Sequence, residues 1–256
     1  MIAVVLAGGY AKRLWPLTMD RPKALLPIAG RPIIDYVVEK LISLEPPMRR
    51  IILSTNQKFQ LQFQKWLETG KHCNIELIPE KSSSEQEKLG AVRALANIVD
   101  EAALEDVLVL AGDNLFADEL GSFIHFFCEK YAPTVALYHA RSLAETRKGS
   151  MVKVDEDGRI LEFKEKPLHP RTTLVGACLY AFPAGINRRF DEYLKLGLVT
   201  DEPGRFIEWL HKQEPVFGFM LKDYLWDIGT MDSYRAANEF FRTHQSAKRK
   251  HLFPKS

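Results

Sequence analysis

The residues best suited to chemistry cluster near the start of the chain, in Leu6-Ala7-Gly8-Gly9-Tyr10-Ala11-Lys12-Arg13 and on to Arg21-Pro22-Lys23. Met1 to Ala7 reads as a buried strand, and a long stretch without strand or helix periodicity separates it from the next apolar stripe. Loops of that length in a compact domain are uncommon and are usually functional. Glycines beyond a strand's carboxyl end let backbone N–H groups approach phosphate oxygens. Arg13 offers a planar donor fork and Lys23 a mobile point charge, a pair suited to a polyphosphate. Taken alone, the same two cations also fit ordinary surface charge. No G-x-x-x-x-G-K-[ST] and no G-x-G-x-x-G occurs, which excludes two other phosphate loops.

Two carboxylates follow short apolar strands. Asp113 comes after Val107 to Ala111, and Asp227 lies in the run Leu225 to Ile228. If they converge, so sparse a site suits Mg²⁺, which keeps several waters and takes one or two protein carboxylates beside substrate phosphates. On their own they equally fit a turn residue and a cap for a helix near residue 230. Lys166, in Lys164-Glu165-Lys166-Pro167, fits a solvated strand face. Seven scattered histidines show no ligand spacing, and Ser82-Ser83-Ser84 has no partnered base. Cys73, Cys128 and Cys178 stand too far apart in sequence for a zinc module or disulfide framework.

These residues need a scaffold, and the composition supplies an ordinary globular one. The 256 residues are 46% hydrophobic and 27% charged, with a net charge of +2. Arg242, Lys248, Arg249, Lys250 and Lys255 form a basic end without acids, which leaves −3 on residues 1 to 241. A slightly acidic body argues against nucleic-acid binding, and no apolar run is long enough for a membrane span. Met1 leads straight into the first strand without a cationic leader, so the expected location is the cytoplasm.

Strands are predicted at 50–54, 75–78, 107–111 and 134–139, with helices at 32–44, 58–68, 89–99 and 119–131 between or beside them. This β-α alternation predicts a mainly parallel sheet. A hairpin at 151–164 and a strand at 174–182 should add antiparallel strands to it. A helical stretch after Pro183, strands at 216–221 and 225–228, and a helix over 232–243 complete the reading. The expectation is α/β, one three-layer α/β/α Rossmann-like domain over residues 1–244 with a mixed sheet, followed by a flexible basic tail, 245–256.

The wording of the first loop adds a resemblance. L-A-G-G-x-x-x-R-L-x-P-L-T, with P-K-x-L-L-P-I-x-G-x-P downstream, resembles the signature of the sugar-1-phosphate nucleotidyltransferases. Further motifs match in order: Glu87-Lys88-Leu89-Gly90-Ala91, Ala111-Gly112-Asp113-Asn114, Glu165-Lys166-Pro167, Val175-Gly176 to Tyr180, and Trp226-Asp227-Ile228-Gly229-Thr230. Each of the later motifs is weak alone; their joint order is specific.

The resemblance implies catalytic roles for Arg13, Lys23 and Lys166. It implies nucleotide contacts from Leu6, Ala7, Gly8, Gly9, Tyr10, Ala11, Lys12, Arg13, Glu87, Gly90 and Asp113. Gly149, Glu165, Lys166, Val175 and Gly176 would bind the sugar phosphate, and Asp113 and Asp227 would hold Mg²⁺.

The implied substrates are a nucleoside triphosphate and a sugar 1-phosphate, with glucose 1-phosphate and dTTP or UTP the first pair to test; guanylyl, adenylyl and cytidylyl transfer remain alternatives. A homo-oligomer is left open. The sequence ends soon after the late motif, so a C-terminal acyltransferase domain is not expected. One departure stands out, because the third loop glycine of the family is Ala11 here. If the backbone there has positive φ, Ala is strained. That would favour a nucleotide-sugar-binding regulatory subunit with weak turnover.

Overall fold

The computed structural model describes residues 1–69, 74–80, 89–223 and 225–252, with side chains through 243. The chain opens with β1 (Ile2–Leu6), β2 (Pro27–Ile28), β3 (Arg31–Pro32), α1 (Ile33–Ile42), β4 (Ile51–Asn56), α2 (Gln60–Leu67) and β5 (Ile75–Glu80). Next come α3 (Ala91–Glu101), β6 (Val107–Ala111), β7 (Asn114–Phe116), α4 (Leu120–Lys130), β8 (Thr134–His139) and α5 (Leu143–Thr146). It continues with β9 (Ser150–Val154), β10 (Ile160–Glu165), β11 (Leu174–Phe182), α6 (Asn187–Lys195) and α7 (Pro203–Leu210). The last elements are β12 (Phe217–Met220), β13 (Leu225–Asp227) and α8 (Met231–Leu252).

Seven strands form one sheet in the order β12-β8-β11-β6-β1-β4-β5. Strand β11 runs antiparallel to both its neighbours, while the other pairings are parallel. The alternation of side chains along each strand feeds two cores. Ile2 and Val4 of β1 and Val107 and Val109 of β6 pack with α3, α6 and α7 on one face. Ala3, Val5, Leu108 and Leu110 pack with α1, α2 and α4 on the other. The three-layer α/β/α arrangement follows from that alternation.

The structure departs from the sequence reading at three places. The hairpin of β9 and β10 does not join the main sheet; it pairs antiparallel with itself, and Val152, Ile160 and Phe163 enter the same core as α7. Burying those apolar residues under a helix outweighs extension of the sheet. Strand β7 had no clear signal in the sequence, because three residues are too few to show a period. The closing helix runs past 243 to Leu252. Among the described residues, no helix is long and apolar enough to cross a membrane.

A third, smaller core decides where the first loop lies. Leu14, Leu26, Ile28 and Ile33 pack with Leu115, Ile228 and Ala237, which binds the loop to β7, β13 and α8. Thr18 adds a hydrogen bond from Oγ1 to the Ala11 carbonyl at 2.8 Å, and Lys58 and Gln62 donate to the carbonyls of Met19 and Asp20. Ile228 is fully buried at the centre of this cluster. Ile228→Ala should therefore lower stability by about 2 to 5 kcal/mol in a denaturant titration. Limited proteolysis should then cut first within residues 9–26; a stable variant cut elsewhere would show that this core does not anchor the loop.

Candidate active site

Asp113 and Asp227 arrive from opposite ends of the chain, and a short strand pair brings them together. β13 pairs antiparallel with β7 so that Asp227 stands opposite Asn114, next to Asp113. Gly112 fixes the other coordinate. Its N–H donates to the Leu6 carbonyl at 2.8 Å, and an added Cβ would lie 3.1 Å from Val5 Cγ1 and 3.3 Å from Leu6 O. A side chain here would have to push its neighbours back by a few tenths of an ångström, so glycine eases the close approach to the end of β1 that places Asp113 over the start of the first loop. Thr230 and Ser233 cap α8 reciprocally, with Ser233 N donating to Thr230 Oγ1 and Thr230 N to Ser233 Oγ. Asp227 is thus not the helix cap.

Both carboxylates face one ammonium group. Lys23 Nζ lies 2.9 Å from Asp113 Oδ2 and 3.8 Å from Asp227 Oδ1, with the lysine side chain only 10% exposed. Lys23 sits in a single 3-10 turn whose next residue, Ala24, is buried, so its backbone is fixed. Arg13 is exposed and leans over Gly229 beside Asp227; an added Cβ on Gly229 would meet both side chains.

The sequence-derived residues divide among four adjoining depressions at the carboxyl ends of the strands. Leu6, Ala7, Gly9, Ala11, Arg13, Lys23 and Asp113 line the first. Gly8, Gly9, Tyr10 and Gly90 line a second, on the β5 side. Glu165, Lys166 and Gly176 join Asp113, Asp227 and Arg13 around a third. Gly149 borders a fourth, with Arg13, Arg141, Lys148 and Asp227. Shared linings make these one trough. Val175 is buried and backs Gly149 rather than opening to the trough, and the Lys12 side chain is exposed. Glu87 lies outside the described residues.

Several residues that the sequence reading did not single out also line the trough. Glu202 is ion-paired with Lys166 Nζ. Thr200 accepts Val92 N and donates to the Leu89 carbonyl, and it abuts Gly90, where φ is +85° and an added Cβ would collide with it. Glu80, Ser54 and Asp201 complete the β5-side depression. The Thr200 contacts join residues over a hundred positions apart, and no local pattern signals them.

Ala11 has φ 46° and ψ 44°, in the left-handed region. The loop keeps a glycine-like turn despite the side chain, so the substitution strains the loop without reshaping it. Lys166 also has positive φ, 48°, with its N–H donated to the Gly149 carbonyl at 2.7 Å. Left-handed non-glycine residues cost about 1 to 2 kcal/mol each. Ala11→Gly should stabilise the fold by up to about 1 kcal/mol, since relief of strain exceeds the added flexibility of the unfolded chain. A destabilised variant in thermal melts would contradict that account.

Glu165 is buried against the first turn of α7; an added Cβ on Gly204 would collide with its carboxylate. Burial, with Glu202 nearby, pushes its carboxyl from an ordinary 4.5 up to about 7, against the pull of Lys166 and Arg205. The folded state therefore holds this proton more tightly than the unfolded state, and wild type loses stability as pH rises from about 4.5 to about 7. Glu165→Gln removes that loss. The difference in denaturation free energy between variant and wild type should be small at pH 4 and favour the variant at pH 8; a pH-independent difference would reject the assignment.

Known proteins resemble this chain in sequence and in fold. Residues 2–244 match the model of the nucleotidyl transferase family. The bifunctional protein GlmU of Methanocaldococcus jannaschii is 29% identical over 245 residues, 94% of this chain and 54% of the relative. The chain thus spans about half the length of that protein. The D-glycero-alpha-D-manno-heptose 1-phosphate guanylyltransferase of Aneurinibacillus thermoaerophilus is 29% identical over 240 residues, 93% of this chain and 97% of its own. A crystal structure from Bacillus anthracis, of a protein provisionally assigned as a glucose-1-phosphate thymidylyltransferase and complexed with a sucrose, shares the fold. Its TM-score is 0.81 at 22% identity, over 94% of this chain and 96% of that one. By sequence, the chain belongs to the nucleotidyl transferase family.

Proposed function

We propose that this chain transfers a nucleotidyl group from a nucleoside triphosphate to a sugar 1-phosphate, releasing pyrophosphate. The observation that carries this reading is the trough in which Asp113, Asp227 and Lys23 meet between a glycine-rich loop and the Lys166 side. The nucleophile is a phosphate oxygen. A phosphate monoester has a second pKa of ~6, so it is ionised near neutral pH and no general base is needed. The problem is to bring two polyanions together. Backbone N–H groups of Gly8 to Lys12 and the Arg13 guanidinium serve the triphosphate, with Arg13 on the leaving pyrophosphate side. Lys166 takes the phosphate of the sugar, displacing Glu202 from its ammonium, and Glu165 accepts from sugar hydroxyls.

The residues also fit a divalent ion. Two carboxylates against one ammonium leave a net negative charge, and Asp227, with its side chain 55% exposed, is open to a hydrated cation. Among the described residues no group of three or more His, Cys, Asp or Glu side chains could hold a metal, so any ion here keeps waters and takes substrate oxygens. Mg²⁺ tolerates that coordination. Asp113 and Asp227 would hold it, and when bound it supplies neutralisation of phosphate charge.

The test is pyrophosphate release by the full chain with Mg²⁺, across the common triphosphates and several sugar 1-phosphates. Product formation in at least one pair is expected; silence throughout, with nucleotide-sugar binding retained, would favour a regulatory subunit. Asp113→Asn and Asp227→Asn should each lower turnover at least ~100-fold, the size of losing one electrostatic stabiliser. Near-normal Mg²⁺-dependent turnover in either variant would remove that residue from the site.

A further inference from the structure

The β5 end of the trough holds a carboxylate that the reaction does not use. Glu80 closes β5 beside Asn56 of β4, and it lines a depression with Gly8, Tyr10, Ser54, Gly90 and Asp201. Asn56 is committed to the scaffold: its Nδ2 donates to the Gly8 carbonyl at 2.9 Å and its Oδ1 accepts from Phe59 N at 3.0 Å. Glu80 is not. Among the described residues, its carboxylate accepts no hydrogen bond and meets no cation. An added Cβ on Gly8 would lie 3.0 Å from Glu80 Oε1, so the carboxylate stands directly against the phosphate-loop backbone. Leu6 and Gly9 line both this depression and the one holding Asp113, so the two adjoin as ends of one groove.

We infer that Glu80 reads the base of the triphosphate and that the base is guanine. The inference rests on the transferase reading above and selects among the nucleotides it leaves open. A carboxylate presents two acceptors side by side. Guanine alone among the common bases answers with two adjacent donors, N1–H and the 2-amino group. Uracil and thymine offer one N–H flanked by carbonyls, which would face the second carboxylate oxygen. Adenine and cytosine place a ring acceptor beside their amino group. Burial pushes the empty Glu80 carboxyl up to about 7, and two donated N–H groups would hold it as the anion.

The experiment compares GTP, ITP, ATP, CTP, UTP and dTTP with wild-type protein and with Glu80→Gln. Binding is read by calorimetry, and turnover by pyrophosphate release with Mg²⁺ and glucose or mannose 1-phosphate. GTP should be preferred over every other common base. ITP, which lacks only the 2-amino group, should be roughly 10- to 150-fold weaker, the range for one hydrogen bond to a charged group. Glu80→Gln should lower GTP affinity by at least that factor and collapse the GTP-to-ITP ratio toward one, with thermal melts showing that it folds. A purely structural role for Glu80 would leave that ratio unchanged. Equal binding of GTP and ITP, or preference for another base in both proteins, would overturn the guanine assignment and leave the transferase reading standing. Absence of binding by any triphosphate would overturn both.

Discussion

Two carboxylates that would otherwise repel each other are held within reach of a single lysine, and much of the molecule serves that arrangement. Lys23 lies 2.9 Å from one and 3.8 Å from the other and is nearly buried, so its charge is compensated only while both strands keep their places. Asp113 depends on the close approach of Gly112 to β1. Asp227 depends on the pairing of β13 with β7 and on Ile228, the next residue, being packed in the third core. The same core holds Leu14, next to Arg13, and Leu26, three residues after Lys23. Removing one partner of such a half-buried cluster strands the others.

Strain is placed with the same economy. Among the described residues, four non-glycine residues have positive φ, and two of these, Ala11 and Lys166, line the trough. Each aims backbone or side-chain groups into it from a conformation that a regular strand or helix would forbid. The loop tolerates Ala11 because it is tied down on both sides, through the Thr18 hydroxyl on the Ala11 carbonyl and through the buried Leu14. Lys166 follows Glu165, the last residue of β10, whose buried carboxyl rests against α7. Anchoring next to strained residues is what allows them to persist.

The trough also joins distant parts of the chain. The segment Thr200 to Gly204 touches both ends: Thr200 is bonded to Leu89 and Val92 beside the β5-side depression, and Glu202 is paired with Lys166 at the opposite side. On the proposed reading, a nucleotide at one end and a sugar phosphate at the other would meet the same short stretch of backbone.

The sequence alone determined the longer elements and singled out the glycine-rich first loop. Strands β1, β6 and β8 and helices α1 and α4 are long enough for their periodicity to show, and the motif order pointed to the family with which the chain is grouped. It also supplied Arg13, Lys23, Asp113, Lys166 and Asp227 as residue types suited to phosphates and a cation. Only the tertiary structure decided that Lys23 stands between the two aspartates, that Thr230 and not Asp227 caps α8, and that the β9–β10 hairpin lies apart from the main sheet. It alone brought Glu80, Asp201 and Glu202 into the trough. The reason is physical: periodicity reports which face of a segment is buried, whereas a buried carboxylate's neighbours are set by strand order and by close approaches between residues far apart in the chain.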